Sequence, residues 1–344
     1  ASNEENETLT YLGAGFDSDL KLSRQHLLLN GLVERTKYDD FGELDNTRLD
    51  GRATWDWEVG NLWSGSLGSR YLKEMSSFTQ VSTRNKEMRT RKTNFLEVGY
   101  QLHPDLRLSA EVDVSDVSYE NRKRLDRDVT GAQFDVLYKN TLNTKVGLRV
   151  RRVQNDLNRG IVGGVPVSND YAETTVSGLL FWEATGISSL EARFGYTDLT
   201  YDDLDDRDFQ GVSGRLTYIS KLTGKTQVNV AVWHETSTFR TEISSYVLSK
   251  GISISPRWSV TSKVYLDGDV SFVNDDFKGT NKINQSLGLP KRDDDTLLYR
   301  VSANWEPRGF VRVTLSYRNE DRNSSDDIRD YDDEQVDFKV QLTY

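Results

Sequence analysis

The sequence contains no cysteine, and only five prolines, three histidines and two methionines occur among its 344 residues. The absence of cysteine fits a cell-envelope protein that is built without disulfides. No apolar run approaches the roughly 18 residues of a membrane helix, so any crossing of a membrane must be made by strands. The histidines His26, His103 and His234 are scattered and no Ser/His/Asp arrangement is evident. We therefore predict a protein that is not an enzyme.

Apolar residues are also scarce. They make up 36% of the chain and the mean hydropathy is -0.64, which is poor for a large dry core. Aromatic residues are nevertheless frequent, with 16 Tyr, 13 Phe and 7 Trp. This combination fits a β-barrel whose apolar surface is an outer band one residue deep. The net charge of -10 argues against nucleic acid as a partner.

The last nine residues alternate between apolar and polar side chains, which predicts a strand with one face of each kind. A terminal strand that ends in an aromatic residue is typical of the closing strand of a bacterial outer-membrane barrel, where it also serves as the assembly signal. We assign that role to Phe338, Val340, Leu342 and Tyr344.

The same alternation recurs along the chain, most clearly in 49–59, 106–115, 190–197 and 311–318. About seventeen strand-like segments can be distinguished, and the alternative, a soluble β-sandwich, would need a thick two-sided core. Short turns are predicted at 60–61, 103–105, 141–143, 185–186, 222–225, 256–257 and 307–309. Long loops are predicted at 39–45, 76–88, 121–127, 157–170, 202–208, 274–294 and 319–333. Five tryptophans near the short turns predict an aromatic girdle at the periplasmic interface: Trp57, Trp63, Trp182, Trp258 and Trp305.

These patterns predict an all-β fold, a transmembrane antiparallel up-and-down β-barrel of about 18 strands (16–18) in the bacterial outer membrane. Residues 1–344 form a single barrel domain in this prediction. Barrels of this kind usually have an even number of strands, so we expect either a first strand missing upstream of Ala1 or one strand counted wrongly. No signal peptide is visible at Ala1, and we expect that one has been removed.

Parts of the first half resemble a known family. The segments are Lys37–Asp45, Ala53–Gly65, Arg84–Thr93 and Gln101–Leu108. They resemble the EpsL-type exopolysaccharide-operon outer-membrane proteins, within the wider group called putative β-barrel porin 2. The resemblance implies a role in moving a secreted polysaccharide across the outer membrane, in biofilm formation for example. It also implies a further strand before the segment that begins at Thr8, and it marks no catalytic site.

The polar positions of the predicted strands carry many charges of both signs, which either pair across strands or line a wet conduit. The lumen candidates are Arg52, Arg107, Arg149, Arg151, Arg193, Arg215, Trp233, Lys263, Tyr265 and Arg312. The arginines could favour an anionic sugar chain, and the aromatic rings could either stack on sugars or pack in the wall. A barrel of this size is wide enough for an aqueous channel unless loops such as 157–170 and 274–294 fold inward.

Acidic runs at 202–208, 293–295 and 326–334 suggest oxygen ligands for Ca²⁺ or Mg²⁺, but none has the spacing of a known calcium loop, and solvated loops are the simpler interpretation. We predict no metal and no cofactor.

The function predicted from the sequence is an outer-membrane channel for polysaccharide export. The alternatives are a general or substrate-specific porin, or a structural barrel that docks or sheathes a periplasmic export or electron-transfer partner. The expected partners are outer-membrane lipid and lipopolysaccharide, the polysaccharide, a periplasmic export component and the barrel-assembly machinery.

Overall fold

The computed structural model describes residues 6–343 apart from 77–85, 141, 143, 158–159, 163–164, 238–245, 279–291 and 327–328. Within these residues the protein is all-β, with seventeen antiparallel strands in one sheet and a separate two-stranded hairpin. The strands are β1 (Leu9–Leu22), β2 (Gln25–Tyr38), β3 (Asn46–Val59), β4 (Trp63–Met75), β5 (Met88–His103), β6 (Leu106–Tyr119), β7 (Arg127–Lys139), β8 (Lys145–Leu157), β9 (Gly160–Val162), β10 (Val165–Val167), β11 (Tyr171–Thr185), β12 (Ser188–Tyr201), β13 (Phe209–Ser220), β14 (Thr226–Ser237), β15 (Tyr246–Ser259), β16 (Val264–Lys278), β17 (Asp293–Arg308), β18 (Val311–Ser324) and β19 (Tyr331–Leu342). The described helical segments are the 3-10 turns Gly42–Leu44, Lys123–Leu125 and Asp205–Arg207. No helix in this part of the chain is long and apolar enough to cross a membrane.

Two compact units make up the chain. The first unit consists of Ala1–Tyr138, Arg149–Thr175 and Asp198–Asp208. The second unit consists of Lys139–Leu148, Val176–Thr197 and Phe209–Tyr344. In the first unit consecutive strands pair antiparallel from β1–β2 to β6–β7. In the second unit they do so from β13–β14 to β18–β19. The predicted up-and-down order and the number of sheet strands are confirmed. A further strand upstream of Ala1 stays a prediction.

The long strands of the seventeen-stranded sheet present one apolar and one polar face over most of their length. In β6, for example, Val112 and Val114 are 52% and 45% exposed on the apolar face, while Glu111 and Asp113 lie on the opposite, polar face. The terminal strand β19 exposes Phe338 and Leu342 to 71% and 61%. Stripes of exposed apolar side chains repeated over successive strands are not stable in water and require an apolar solvent such as lipid. Tyr344 lies outside the described residues, and the assembly-signal role of β19 stays a prediction.

The prediction of a tight turn at 256–257 is wrong. β15 continues through Pro256 to Ser259, and the chain reverses at 260–263 instead. Proline lacks a backbone N–H, and the β15–β16 ladder has no paired residues between Ile254 and Arg257, although its register is the same on both sides. The opposite residue, Gly268, leaves room for the proline ring, because a Cβ there would lie 3.0 Å from Pro256 Cγ. A proline is therefore accommodated inside a strand at the loss of local ladder bonds.

Two predicted long loops are shorter than expected. The predicted loop 319–333 is shorter because β18 extends to Ser324 and β19 begins at Tyr331. The predicted loop 274–294 is shorter because β16 extends to Lys278 and β17 begins at Asp293. The rest of 274–294, residues 279–291, lies outside the described residues. The predicted loop 157–170 contains the β9–β10 hairpin. Polar strand ends explain the error, because polar residues on both faces of a strand look like a loop in the sequence.

Three hairpins at the long-loop end of the sheet close in the same way. The N–H of Tyr38 donates to Asp45 Oδ1 (2.9 Å), that of Tyr119 to Asp126 Oδ1 (2.7 Å), and that of Tyr201 to Asp208 Oδ1 (2.8 Å). A 3-10 turn lies inside each hairpin, and the aspartate N–H donates to the carbonyl three residues earlier, at 3.1 Å in all three. Each hairpin thus ends one strand and starts the next at a fixed register.

Candidate functional site on the polar face

The polar face carries arginines that are held by carboxylates on neighbouring strands. Arg149 on β8 donates to both oxygens of Asp135 on β7, from Nε at 2.9 Å and from Nη2 at 2.7 Å. The Asp135 side chain is only 6% exposed. Parallel N–H donors of this kind make the strongest and most directional ion pairs in proteins. The pair therefore fixes Arg149 against the wall.

Arg151 and Arg107 are also paired within the first unit. Arg151 Nη2 donates to Asp113 Oδ1 at 2.7 Å, and its Nη1 lies 3.8 Å from Glu111 Oε1. Arg107 Nη1 donates to Ser64 Oγ at 2.8 Å, and its Nη2 lies 3.7 Å from Glu97 Oε1. Both guanidinium groups thus bridge to acidic residues of the same face.

In the second unit, one carboxylate holds two of the predicted arginines. Glu235 on β14 accepts from Arg215 on β13 at 2.9 and 3.1 Å, and it also accepts from Arg193 on β12. The Arg215 guanidinium lies 4.9 Å above the ring centre of Trp233. The ring occupies the place where a Cβ at Gly251 would sit, and its Nε1 donates to Ser249 Oγ at 3.4 Å. Trp233 is thus packed into the wall with a cation over its ring.

Tyr265 has a similar environment. The Arg257 guanidinium lies 4.9 Å from its ring centre, and Arg257 Nε donates to Asp267 Oδ1 at 2.5 Å. Asn304 Nδ2 donates to the other oxygen of Asp267 at 3.0 Å. Both predicted aromatic residues therefore carry an arginine on the ring, which is the wall-packing alternative of the sequence prediction.

The remaining three candidates have different surroundings. Arg312 donates to Glu306 Oε1 from Nε at 2.8 Å, so it is also paired. Among the residues that the structure describes, Arg52 Nε donates to a hydroxyl, Thr54 Oγ1 at 3.2 Å, and not to a carboxylate. Because the chain turns at 260–263 and not at 256–257, Lys263 lies in the turn before β16. Its Nζ donates to the Pro307 carbonyl at 3.1 Å. Lys263 is therefore not a wall residue.

Sequence reasoning missed three residues of this face. Glu235 and Glu306 were not recognised as partners of the arginines, and Arg257 was assigned to a turn. Glu235 lies two residues after Trp233 and therefore shares its face, a signal that was available in the sequence. The pairing itself needs the register of strands that are distant in sequence.

The predicted girdle tryptophans lie near the short-turn end of the strands. Trp63, Trp182, Trp258 and Trp305 are 46–52% exposed on the apolar face. Trp57 is half-buried on the same face, because its ring packs over Gly65 on β4. Trp63 also contacts Tyr100, with ring centres 4.6 Å apart.

The acidic runs engage the protein itself. Asp208 accepts the Tyr201 N–H, Asp203 accepts the Ser168 N–H at 2.8 Å, and Asp294 accepts from Arg292. In the part of the chain that the structure describes, no three His, Asp or Glu side chains are grouped to hold a metal ion. Backbone amides and guanidinium groups use these carboxylates instead.

Comparisons with known proteins agree on the type of protein. The model of the family described as putative beta-barrel porin 2 matches residues 168–344. This match lies in the second half of the chain, whereas the segments that carry the EpsL-type resemblance lie in the first half. A search of curated proteins finds no significant match.

Among solved structures, the chain is similar to outer-membrane transporters and receptors. It matches the copper transporter OprC with a TM-score of 0.59 and 11% identity, over 97% of this chain and 64% of that one. It matches the ferric-catecholate import receptor Fiu of E. coli K12 with a TM-score of 0.52 and 9% identity, over 93% of this chain and 65% of that one. It matches the ferripyoverdine receptor of Pseudomonas aeruginosa with a TM-score of 0.53 and 8% identity, over 98% of this chain and 59% of that one. The chain thus spans less than two thirds of the length of each. At these identities the likeness concerns the fold, that of an outer-membrane β-barrel.

Proposed function

Because the chain belongs to the putative beta-barrel porin 2 family, we propose that it is an outer-membrane channel whose lumen carries a secreted polysaccharide. The protein is an all-β antiparallel up-and-down β-barrel of the bacterial outer membrane. In such barrels the apolar face meets lipid and the polar face lines the lumen. The polysaccharide is supported by the EpsL-type resemblance and by the chemistry of the polar face, and we propose a transport role without catalysis.

The observation that carries this proposal is the pairing of the polar-face arginines. Arg149, Arg151, Arg193 and Arg215 all lie against carboxylates. A wall of paired charges offers N–H donors and carboxylate acceptors to hydroxyl groups, while its net field is small. We therefore expect a neutral or weakly charged polymer to suit this wall better than the strongly anionic polymer that the arginines alone suggest.

The test is single-channel conductance of the purified chain in planar bilayers, with and without the exopolysaccharide of its own bacterium. We expect steady open steps that this polymer blocks from one side. A dextran of equal mass serves as the unrelated control and should not block.

A matched variant connects the block to the wall. Glu235→Gln removes one carboxylate from the Arg193–Glu235–Arg215 cluster and should change the block by the polymer. Open steps that are indifferent to the polymer would contradict the export function. The absence of any conductance would contradict an open channel altogether.

The second candidate is a general porin for small hydrophilic solutes, which the description of the family itself favours. Open steps without polymer block, combined with uptake of small solutes into vesicles, would establish it. The remaining partners that we propose are a periplasmic export component, the barrel-assembly machinery and the lipopolysaccharide of the outer leaflet.

A further inference from the structure

Four basic residues lie on the apolar face of β2, β4 and β5, towards the long-loop end. They are Arg35, Lys37, Lys73 and Lys92, and we call them the basic rim. Each lies an even number of residues from an exposed apolar residue of its own strand and therefore shares its face. These apolar residues are Val33 on β2 (52% exposed), Leu67 on β4 (47%) and Leu96 on β5 (46%). The pairing of these strands has no register shift across the positions concerned. The basic rim therefore points to the side that faces lipid.

Strand register brings these residues together. Lys92 lies opposite Tyr71, two residues before Lys73, so Lys73 and Lys92 are diagonal neighbours. Such neighbours have Cα atoms about 7–8 Å apart. On its other side, β4 pairs with β3, where Lys73 lies opposite Leu49. Arg35 on β2 lies opposite Thr47, which is two residues before Leu49 on β3. Three strands, β2, β4 and β5, thus carry one patch of positive charge, with β3 between β2 and β4.

The basic rim has no acidic partner among the described residues. No carboxylate there lies within 4.0 Å of Arg35, Lys37, Lys73 or Lys92. Asp116 lies opposite Lys92 on β6 but makes no ion pair with it. Arg35, Lys37 and Lys92 are exposed and Lys73 is half-exposed. These four residues therefore differ from the arginines of the polar face, which are nearly all paired.

The position of the basic rim identifies its solvent. The four residues lie between the exposed apolar side chains and the long loops, which is where lipid headgroups begin. Lipid tails cannot solvate an ammonium or guanidinium group, so these side chains reach the headgroup layer. The long loops of outer-membrane barrels are extracellular, and the outer leaflet there consists of lipopolysaccharide, whose lipid A carries phosphates.

We propose that the basic rim is a docking surface for the phosphate groups of lipid A. A guanidinium binds phosphate through two parallel N–H donors, and lysines add mobile point charges. At the same end of the apolar face, β17 to β19 carry carboxylates instead: Asp295, Asp321, Asp332 and Glu334. That side repels phosphate unless divalent cations intervene. The lipid would therefore bind the first unit preferentially.

The test is direct binding of lipid A to the purified chain in detergent micelles with EDTA. Bis-phosphorylated lipid A, the same lipid without phosphates, and inorganic phosphate are titrated separately by calorimetry. We expect the phosphorylated lipid to bind at least about tenfold more tightly than the dephosphorylated lipid. Equal affinities for the two lipids, or equally tight binding of free phosphate, would overturn the proposal.

Variants locate the site. The quadruple variant R35Q/K37Q/K73Q/K92Q should lose about tenfold or more in affinity for phosphorylated lipid A. A control with the same loss of charge at the short-turn end, K139Q/K145Q/K221Q/K225Q, should bind as the unchanged chain does. Equal binding by the rim variant, or an equal loss in the control, would contradict the assignment. None of these measurements depends on conduction through the lumen, so the result stands apart from the fate of the proposed channel function.

Discussion

Arg149 and Arg35 are the same residue type on opposite faces of one sheet, and their surroundings differ completely. Arg149 makes two hydrogen bonds to Asp135, whereas Arg35 has no carboxylate within 4.0 Å among the described residues. The paired arginines are held in the wall, each with its charge opposed by a neighbouring carboxylate. The unpaired basic rim keeps its charge for an external partner. The presence of a carboxylate thus distinguishes a structural arginine from one that is available for binding.

Removing a carboxylate from the polar face should have the largest effect. Asp135→Ala removes the carboxylate that accepts both hydrogen bonds of Arg149, in a site where the aspartate was 6% exposed. Breaking such a pair costs about 3 kcal/mol in the free energy of unfolding, measured by denaturant titration in detergent or lipid. The double variant Asp135→Leu/Arg149→Met removes both charges and should recover most of that loss. A double variant as unstable as the single one would show that Asp135 acts through something other than the pair.

Displacing Trp233 should have the next largest effect. Gly251→Val places a side chain where the indole ring lies, so the ring must move away from Arg215. Overpacking of this kind costs about 2 kcal/mol. The matched control is Gly51→Val on the apolar face, where no atom lies within 4 Å of an added Cβ. Equal losses of unfolding free energy in the two variants would mean that glycine in a strand, and not the indole, decides the result.

Neutralising Glu235 removes the carboxylate that pairs with both Arg193 and Arg215. Glu235→Gln should cost about 1.5 kcal/mol, since hydrogen bonds to a charged group are replaced by neutral ones. In an open channel it should also shift the reversal potential under a KCl gradient towards chloride, because Arg193 and Arg215 then present net positive charge. An unchanged reversal potential in a conducting channel would place this cluster outside the ion path.

The basic rim should contribute least to stability. The variant R35Q/K37Q/K73Q/K92Q should change the free energy of unfolding in lipid-free detergent by less than about 0.5 kcal/mol, because it breaks no ion pair. The same titration with phosphorylated lipid A present should reveal a loss of stabilisation relative to the unchanged chain. A large loss without lipid would indicate that these residues support the fold itself.

The fold could be predicted largely from the sequence, because period-two alternation survives wherever one face meets lipid. The errors occur where that signal fails. Pro256 suggested a turn but lies inside β15, since a strand can lose single ladder bonds, and this error misplaced Lys263. Strand ends such as those of β18 and β19 are polar on both faces and were taken for loop.

For the candidate site, the sequence predicts the face of the sheet on which each residue lies, but not the residue that it contacts. The parity of Arg215 and Trp233 placed both on the polar face, as the structure has them. Their contacts with Glu235 and Ser249 depend on the pairing of β13, β14 and β15, and no local pattern encodes that pairing. Whether these residues lie on the path of a polymer stays a prediction.

The common closure of the hairpins at Tyr38, Tyr119 and Tyr201 has a consequence for exchange of surface sequence. Each closure uses one backbone N–H and one aspartate carboxylate, and the residues in between differ in charge and size among the three hairpins. The segment between these two anchor points can therefore be replaced without moving the strands. Such hairpins are natural grafting positions for foreign epitopes on a cell surface.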